Sequence, residues 1–172
     1  MKTKIITMIS AAILAVVGPA QADTVWLSGH HEILDGEEYF EIWMYNDATA
    51  DMFGGDVYKL EMFDTSAFDM LGGVMDIIIM RNNSVSYIRG GNLGALASIE
   101  NSSVYLYAYD VIHHPTGGHY DGGWVEGKYI SDNNPFSFSF YGDRDYPQLT
   151  IVPEPVTLLL LGFGALLIRK RN

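Results

Sequence analysis

Between residues 38 and 109, hydrophobic and polar positions return at a fixed interval of 18 residues, marked by glycine pairs at Gly54-Gly55, Gly72-Gly73 and Gly90-Gly91. A gapless repeat of this length is the mark of stacked units rather than of a single folded layer. Cut after each pair, the chain gives four blocks, 38–55, 56–73, 74–91 and 92–109. The fifth position holds Ile42, Leu60, Ile78 and Leu96; the seventh Met44, Met62, Met80 and Ser98; the fifteenth Met52, Met70, Ile88 and Leu106. Positions five and seven differ by two and so share one face of a strand. Position nine is Asn46, Asp64, Asn82 and Glu100, and position ten is Asp47, Thr65, Asn83 and Asn101. This polar column predicts a turn whose short side chains hydrogen-bond their own backbone.

Each block therefore reads as strand, polar turn, strand, glycine turn. No block can bury its apolar face alone, whereas stacking at about 4.8 Å per rung joins like residues into continuous ladders. The predicted fold is all-β, a right-handed parallel β-solenoid of about four 18-residue coils with capping strands. Gly-Gly in every interval and the enrichment in Val, Ile, Tyr and Phe disfavour helical repeats. A left-handed coil asks for small or aliphatic residues every six positions, but stepping from Ile42 meets Ala48 and Gly54, and from Leu60 meets Ser66 and Gly72. In repeat style, though in no signature motif, the right-handed coil is similar to the cores of autotransporter adhesins and pectate-lyase-like proteins. The alternative is an antiparallel β-sandwich, which turn spacing alone permits. Residues 24–27 supply an N-terminal capping strand, and 110–152 a C-terminal cap. Within that cap 124–130 and 136–141 alternate at period two around Asn133-Asn134-Pro135 and predict a closing hairpin, with 148–152 a last strand or linker.

The ends of the chain have a different composition. Lys2 and Lys4 precede the apolar run 5–17, Gly18-Pro19 follows, and Ala20-Gln21-Ala22 supplies the small-x-small pattern that signal peptidase accepts. Residues 1–22 are thus expected to be a cleaved signal peptide, since 13 apolar residues are too few for a helix spanning a hydrocarbon core of about 30 Å. At the other end Pro153-Glu154-Pro155 breaks the chain, 156–168 is an apolar segment of membrane-entering character, and Arg169-Lys170-Arg171 is a cationic stop.

Residues 153–172 resemble the PEP-CTERM sorting signal of Gram-negative bacteria that make exopolysaccharide: the tripeptide, the Gly-interrupted Leu run and the basic terminus occur in order. The resemblance implies export across the inner membrane, transient anchoring through 156–168, and processing near Pro153, Glu154 and Pro155 by an exosortase-like enzyme. Release to the cell surface or extracellular matrix would follow.

The ectodomain, 23–152, carries 20 acids against the five bases Lys59, Arg81, Arg89, Lys128 and Arg144, a formal charge of −15. Such a surface repels phosphate backbones, so no nucleic-acid partner is expected. With no cysteine there is no disulfide framework, thiol catalysis or Cys-type zinc site.

Candidate chemistry is sparse. If position fifteen points inward, fourteen and sixteen point out, placing Asp51, Asp69, Tyr87 and Tyr105 beside Phe53, Leu71, Arg89 and Tyr107. Tyr87, Tyr105, Tyr107 and Arg89 form the candidate ligand face, with exposed aromatics able to stack on sugar rings or another protein. The stacked acids Asp51 and Asp69, with Arg81 and Arg89 on the next rung, are the only arrangement suggesting glycan cleavage. His30-His31, His113-His114 and His119 carry the histidines, and adjacent ones point to opposite faces. No metal or other cofactor is assigned; calcium is the softer alternative, through Asp110, Asp121, Glu126 and Asp132 near glycine turns. The reading expected from these features is a non-enzymatic structural or adhesive protein of the envelope or biofilm matrix, with exopolysaccharide as a candidate partner. The alternatives are a small pectate-lyase-like enzyme and a carbohydrate- or calcium-binding module.

Overall fold

Parallel strand pairs one repeat apart dominate the computed structural model, which describes residues 23–115, 121–141 and 148–153. The expected signal peptide, His119 and all of the sorting signal except Pro153 lie outside these residues. Every regular element among the described residues is a strand. Coil one consists of β1 (Thr24–Trp26) and β2 (His30–Ile33), coil two of β3 (Glu38–Met44) and β4 (Thr49–Met52). Coil three is β5 (Asp56–Met62) and β6 (Ala67–Met70), coil four β7 (Val74–Met80) and β8 (Val85–Ile88), and coil five begins with β9 (Asn92–Ser98) and β10 (Ser103–His114). The C-terminal elements are β11 (Asp121–Tyr129), β12 (Pro135–Tyr141) and β13 (Gln148–Val152).

The protein is a parallel β-solenoid. On one face β3, β5, β7 and β9 run in register, with Ile42, Leu60, Ile78 and Leu96 side by side. On the other β4, β6, β8 and β10 align Met52, Met70, Ile88 and Leu106. These residues are fully buried, as are Met44, Met62 and Met80. All six methionines of the ectodomain, Met75 included, have no exposed surface. Unbranched and polarizable, methionine fills the irregular gaps between two facing ladders that branched residues leave open.

The stack is longer than the four sequence blocks. β1 lies beside β3 with Thr24 opposite Ile42, and β2 beside β4 with Ile33 opposite Met52, so the expected N-terminal capping strand belongs to a full coil. That coil is one residue shorter at the polar turn and one longer at the glycine corner, where Glu37 is added, and this hides it from the 18-residue register. Its open end is covered from inside by Trp26, whose ring stacks on His31 at 4.4 Å with Tyr39 edge-on at 6.4 Å.

At the far end β10 serves both faces. Residues 103–106 continue the ladder of β8, and from Ala108 the strand pairs antiparallel with β11, the register shifting at Asp110 (φ 52°) between Tyr109 and Ile112. β11 pairs antiparallel with β12, the expected closing hairpin, and β12 in turn lies parallel to β9 with Phe140 beside Leu96. The strands thus cross from one face to the other and close the end of the core, while β13 adds a further rung on β10 with Ile151 beside Leu106. Phe136, Phe138 and Phe140 are buried under this closure with Tyr129 and Val125. Burial of each phenylalanine and of Val125 stabilises by about 1.5–3 kcal/mol.

The turns explain the conserved-length repeat. At the polar turn Asn46, Asp64, Asn82 and Glu100 all adopt positive φ, 54° to 65°. The hydrogen bonds of this column differ from the expectation, for they run between coils. Asp64 Oδ2 accepts from the Asn46 backbone N–H at 3.1 Å, Asn82 Nδ2 donates to Asp64 Oδ1 at 3.2 Å, and Glu100 Oε2 accepts from the Asn82 N–H at 2.9 Å. Stacking brings each turn within reach of the turn before it, which outcompetes a local loop. At the glycine corner Gly73 has φ +79°, and a Cβ there would stand 2.5 Å from the Gly54 carbonyl oxygen and from Met52 Cε. Only glycine fits both the dihedral and the space.

Candidate functional site

Because position fifteen is inward on β4, β6, β8 and β10, the side chains on either side of it line the outer surface as anticipated. β6 and β8 pair Asp69 with Tyr87, and β8 and β10 pair Tyr87 with Tyr105. Arg89 follows β8 and reaches back one coil: its Nε donates to Asp69, 2.9 and 3.0 Å from the two carboxylate oxygens. Its guanidinium carbon lies 4.1 Å from the ring centre of Tyr107 and 5.7 Å from that of Tyr87. Tyr87 and Tyr105 stack at 5.4 Å with planes 17° apart. The four candidate residues therefore form one cluster with Asp69.

That cluster is organised differently from the arrangement the sequence suggests. Tyr87 and Tyr105 turn their faces toward each other, and the guanidinium lies over Tyr107, so these faces are engaged within the protein rather than set flat against solvent. Burial pushes the Asp69 carboxyl above the ordinary aspartate range; Arg89 opposes the shift and Asp51, on the neighbouring coil, adds to it. Asp51 and Asp69 are register partners. Arg81 is not part of this group: it follows β7 on the other side of the coil and lies 5.9 Å from the ring of Phe63.

The opposite outer face carries a second network that sequence reading missed. Lys59 Nζ sits 2.8 Å from Glu41 and 3.0 Å from Glu61, and the Trp43 indole N–H donates to Glu41 at 2.9 Å. The Lys59 hydrogen bond, then that from Trp43, hold the Glu41 carboxyl below its usual range, and the same pairing raises Lys59. Nearby, Tyr45 and Phe63 stack at 4.7 Å. The repeat does carry the signal: Glu41 and Lys59 occupy position four, so opposite charges fall side by side on adjacent coils.

The histidines separate as strand geometry demands. His30 Nδ1 lies 3.0 Å from Thr49 Oγ1, while His31 turns inward against Trp26. His113 meets Phe140 edge-on, and His114 stacks on Trp124 at 3.8 Å with Glu126 at 3.1 Å. The acids considered for calcium have separate partners: Asp110 faces Lys128 at 3.8 Å, Glu126 faces His114, and Asp132 accepts from Asn134. Among the described residues no group of three or more His, Cys, Asp or Glu side chains is arranged to hold a metal ion. Pro153 is exposed just after β13. Comparison with protein-family models, with curated proteins and with solved structures finds no match to this chain.

Proposed function

We propose that the protein is an exported, non-enzymatic structural component of the bacterial envelope or biofilm matrix, a stiff acidic rod delivered through a PEP-CTERM and exosortase-like route. The observation that carries this reading is how the outward reactive groups are used. Arg89 binds Asp69 of the preceding coil and covers Tyr107 of the next, and Lys59 ties Glu41 to Glu61. Charges and rings on both faces are engaged in clamping one coil to its neighbour, which is what a load-bearing stack requires. The leader expected over 1–22 and the terminal signal at 153–172 supply the route, and the −15 ectodomain keeps the rod soluble and apart from its copies.

One feature favours the enzymatic alternative. Asp51 and Asp69 are adjacent acids of which one has a raised pKa, a combination that glycan-cleaving enzymes use. Deletion of the gene in the producing bacterium separates the readings. A structural role predicts a weakened matrix, restored by the wild-type gene and equally by a D51N/D69N double variant, with no release of sugar reducing ends by the purified protein. Restoration by wild type alone, with a folded double variant, would favour the enzyme. Intact mass of the protein from membrane and matrix fractions tests the route. A matrix form ending near Pro153 is expected, and a protein found only in membranes with Arg169, Lys170 and Arg171 still attached would overturn release.

A further inference from the structure

The two ends of the solenoid are finished differently. At the C-terminal end the path of paired strands runs from β9 through β12, β11 and β10 to β8, so the two faces join, and β13 forms an edge on one face alone. At the N-terminal end both faces stop, at β1 and β2, each paired on one side only. A terminal coil ordinarily turns a polar surface outward, but here Val25, Leu27 and Leu34 are exposed, and β1 carries no charge, Lys or Pro to guard its edge. The Trp26 carbonyl accepts from Tyr45, and those of Gly29 and Ile33 accept from Thr49 and Phe53, all in coil two. Alternate residues of a parallel strand turn their backbone groups the same way, so the N–H and C=O of Val25, His30 and Glu32 point away from the stack.

We propose that two copies of the chain join head to head through these edges, coil one against coil one, about a twofold axis normal to the sheets. Only a surface with two open edges, running in opposite directions and a core's width apart, satisfies both at once. The N-terminal end of a second copy is such a surface, whereas the C-terminal end, with its faces joined, is not. The register follows from the columns. Val25 is aligned with Trp43 and His31 with Ala50, the sixth and thirteenth columns, which lie equally far from the polar turn at columns nine and ten, so one axis passes through both. About that axis Val25 meets Val25 of the second copy and exchanges both N–H···O bonds with it, and His30 does the same with Glu32 of the second copy. The side chains match too. An imidazole lies opposite a carboxylate twice over, with Asp51 of its own copy 3.7 Å from His30 on the other side. Trp26 and His31, stacked and half-buried over the core, meet the same layer of the second copy. The negative charge that keeps rods apart side by side is absent from β1.

The test uses the full chain in detergent and its lack of cysteine. Light scattering should give a protein mass twice that of one chain. A Val25→Cys variant should become a disulfide-linked dimer on mild oxidation, since the Cα atoms of a hydrogen-bonded antiparallel pair stand about 5.5 Å apart, within a disulfide's reach. Ile112→Cys, equally exposed but at the other end, should not. Val25→Pro removes an N–H that β3 does not use and should give a monomer that keeps its strand signal in circular dichroism. Glu32→Lys leaves the backbone untouched and serves if proline disturbs the coil. It should weaken the dimer roughly tenfold or more, because the axis makes the substitution act twice. A monomeric wild-type protein, a dimer that persists unweakened in the Val25→Pro and Glu32→Lys variants, as one held by another surface or by the apolar segment 156–168 would, or cross-linking of Ile112→Cys as fast as Val25→Cys would each overturn the proposal.

Discussion

Arg89 and Asp69 meet diagonally across two adjacent coils, with the Arg89 Nε 2.9 and 3.0 Å from the carboxylate oxygens, and yet Asp69 is harder to ionise than an ordinary aspartate. Burial outweighs the guanidinium, and Asp51 on the neighbouring coil adds to it. A raised carboxyl pKa means that the folded state holds its proton more firmly than the unfolded one. Stability therefore falls as pH rises from the ordinary aspartate range through the raised value. D69N removes that cost and keeps an acceptor for Arg89. Its stability near neutral pH should lie within about 1 kcal/mol of wild type, with the balance shifting toward wild type on acidification. R89A should cost more, about 1–2 kcal/mol, because it strands the carboxylate and uncovers Tyr107. Urea unfolding at neutral and acidic pH tests the order; D69N proving worse than R89A at neutral pH would refute it.

Gly29 and Gly73 separate backbone conformation from space. Both have φ near +80°, but a Cβ at Gly29 meets nothing within 4 Å, whereas one at Gly73 would stand 2.5 Å from the Gly54 oxygen and Met52 Cε. Gly29→Ala should lose about 1–2 kcal/mol, the price of a left-handed alanine. Gly73→Ala should lose that and a further 1–3 kcal/mol or so from overpacking between coils. Equal losses in thermal unfolding would mean that the coils can move apart at this corner.

The interior was legible because each inward column is built of one kind of residue: Ile42, Leu60, Ile78 and Leu96 repeat in sequence what they do in space. Coil one was not, since its shortened polar turn and the extra Glu37 shift the columns in opposite directions and leave Gly36 in place of a glycine pair. The outward face was legible as a set of columns, but not its contacts. Arg89 reaches Asp69 on a diagonal from column sixteen to column fourteen, which a residue-over-residue alignment does not pair.

Lys59 should be the acid-sensitive clamp. A carboxyl whose pKa is depressed in the fold contributes stability above its unfolded value, and that stability is lost as pH falls through the folded one. Glu41 is such a group, held down first by Lys59 and then by the Trp43 indole. Lys59→Met removes the first of these and leaves Glu41 and Glu61 flanking an apolar side chain. A loss of about 1–2 kcal/mol is expected near neutral pH. The difference from wild type should close as acid protonates Glu41. A melting-temperature difference that stays constant across the acid range would show that Lys59 acts through packing of its stem instead.

Asp64 combines both demands of the polar turn, a left-handed backbone at φ 59° and acceptor oxygens for two groups of the flanking coils, the Asn46 N–H and Asn82 Nδ2. Three substitutions divide these roles. Asp64→Asn keeps an acceptor and a residue tolerant of this conformation, Asp64→Gly keeps only the conformation, and Asp64→Ala keeps neither. Stability should fall in that order, with alanine about 1–2 kcal/mol below glycine from the backbone alone. Hydrogen exchange locates the other part of the effect. The Asn46 amide should lose protection in the glycine and alanine variants while the buried strand amides of Ile42 and Leu60 keep theirs. Protection of Asn46 in the glycine variant equal to that in wild type would mean that the ladder between coils does not hold the turn, and that conformation is all Asp64 supplies.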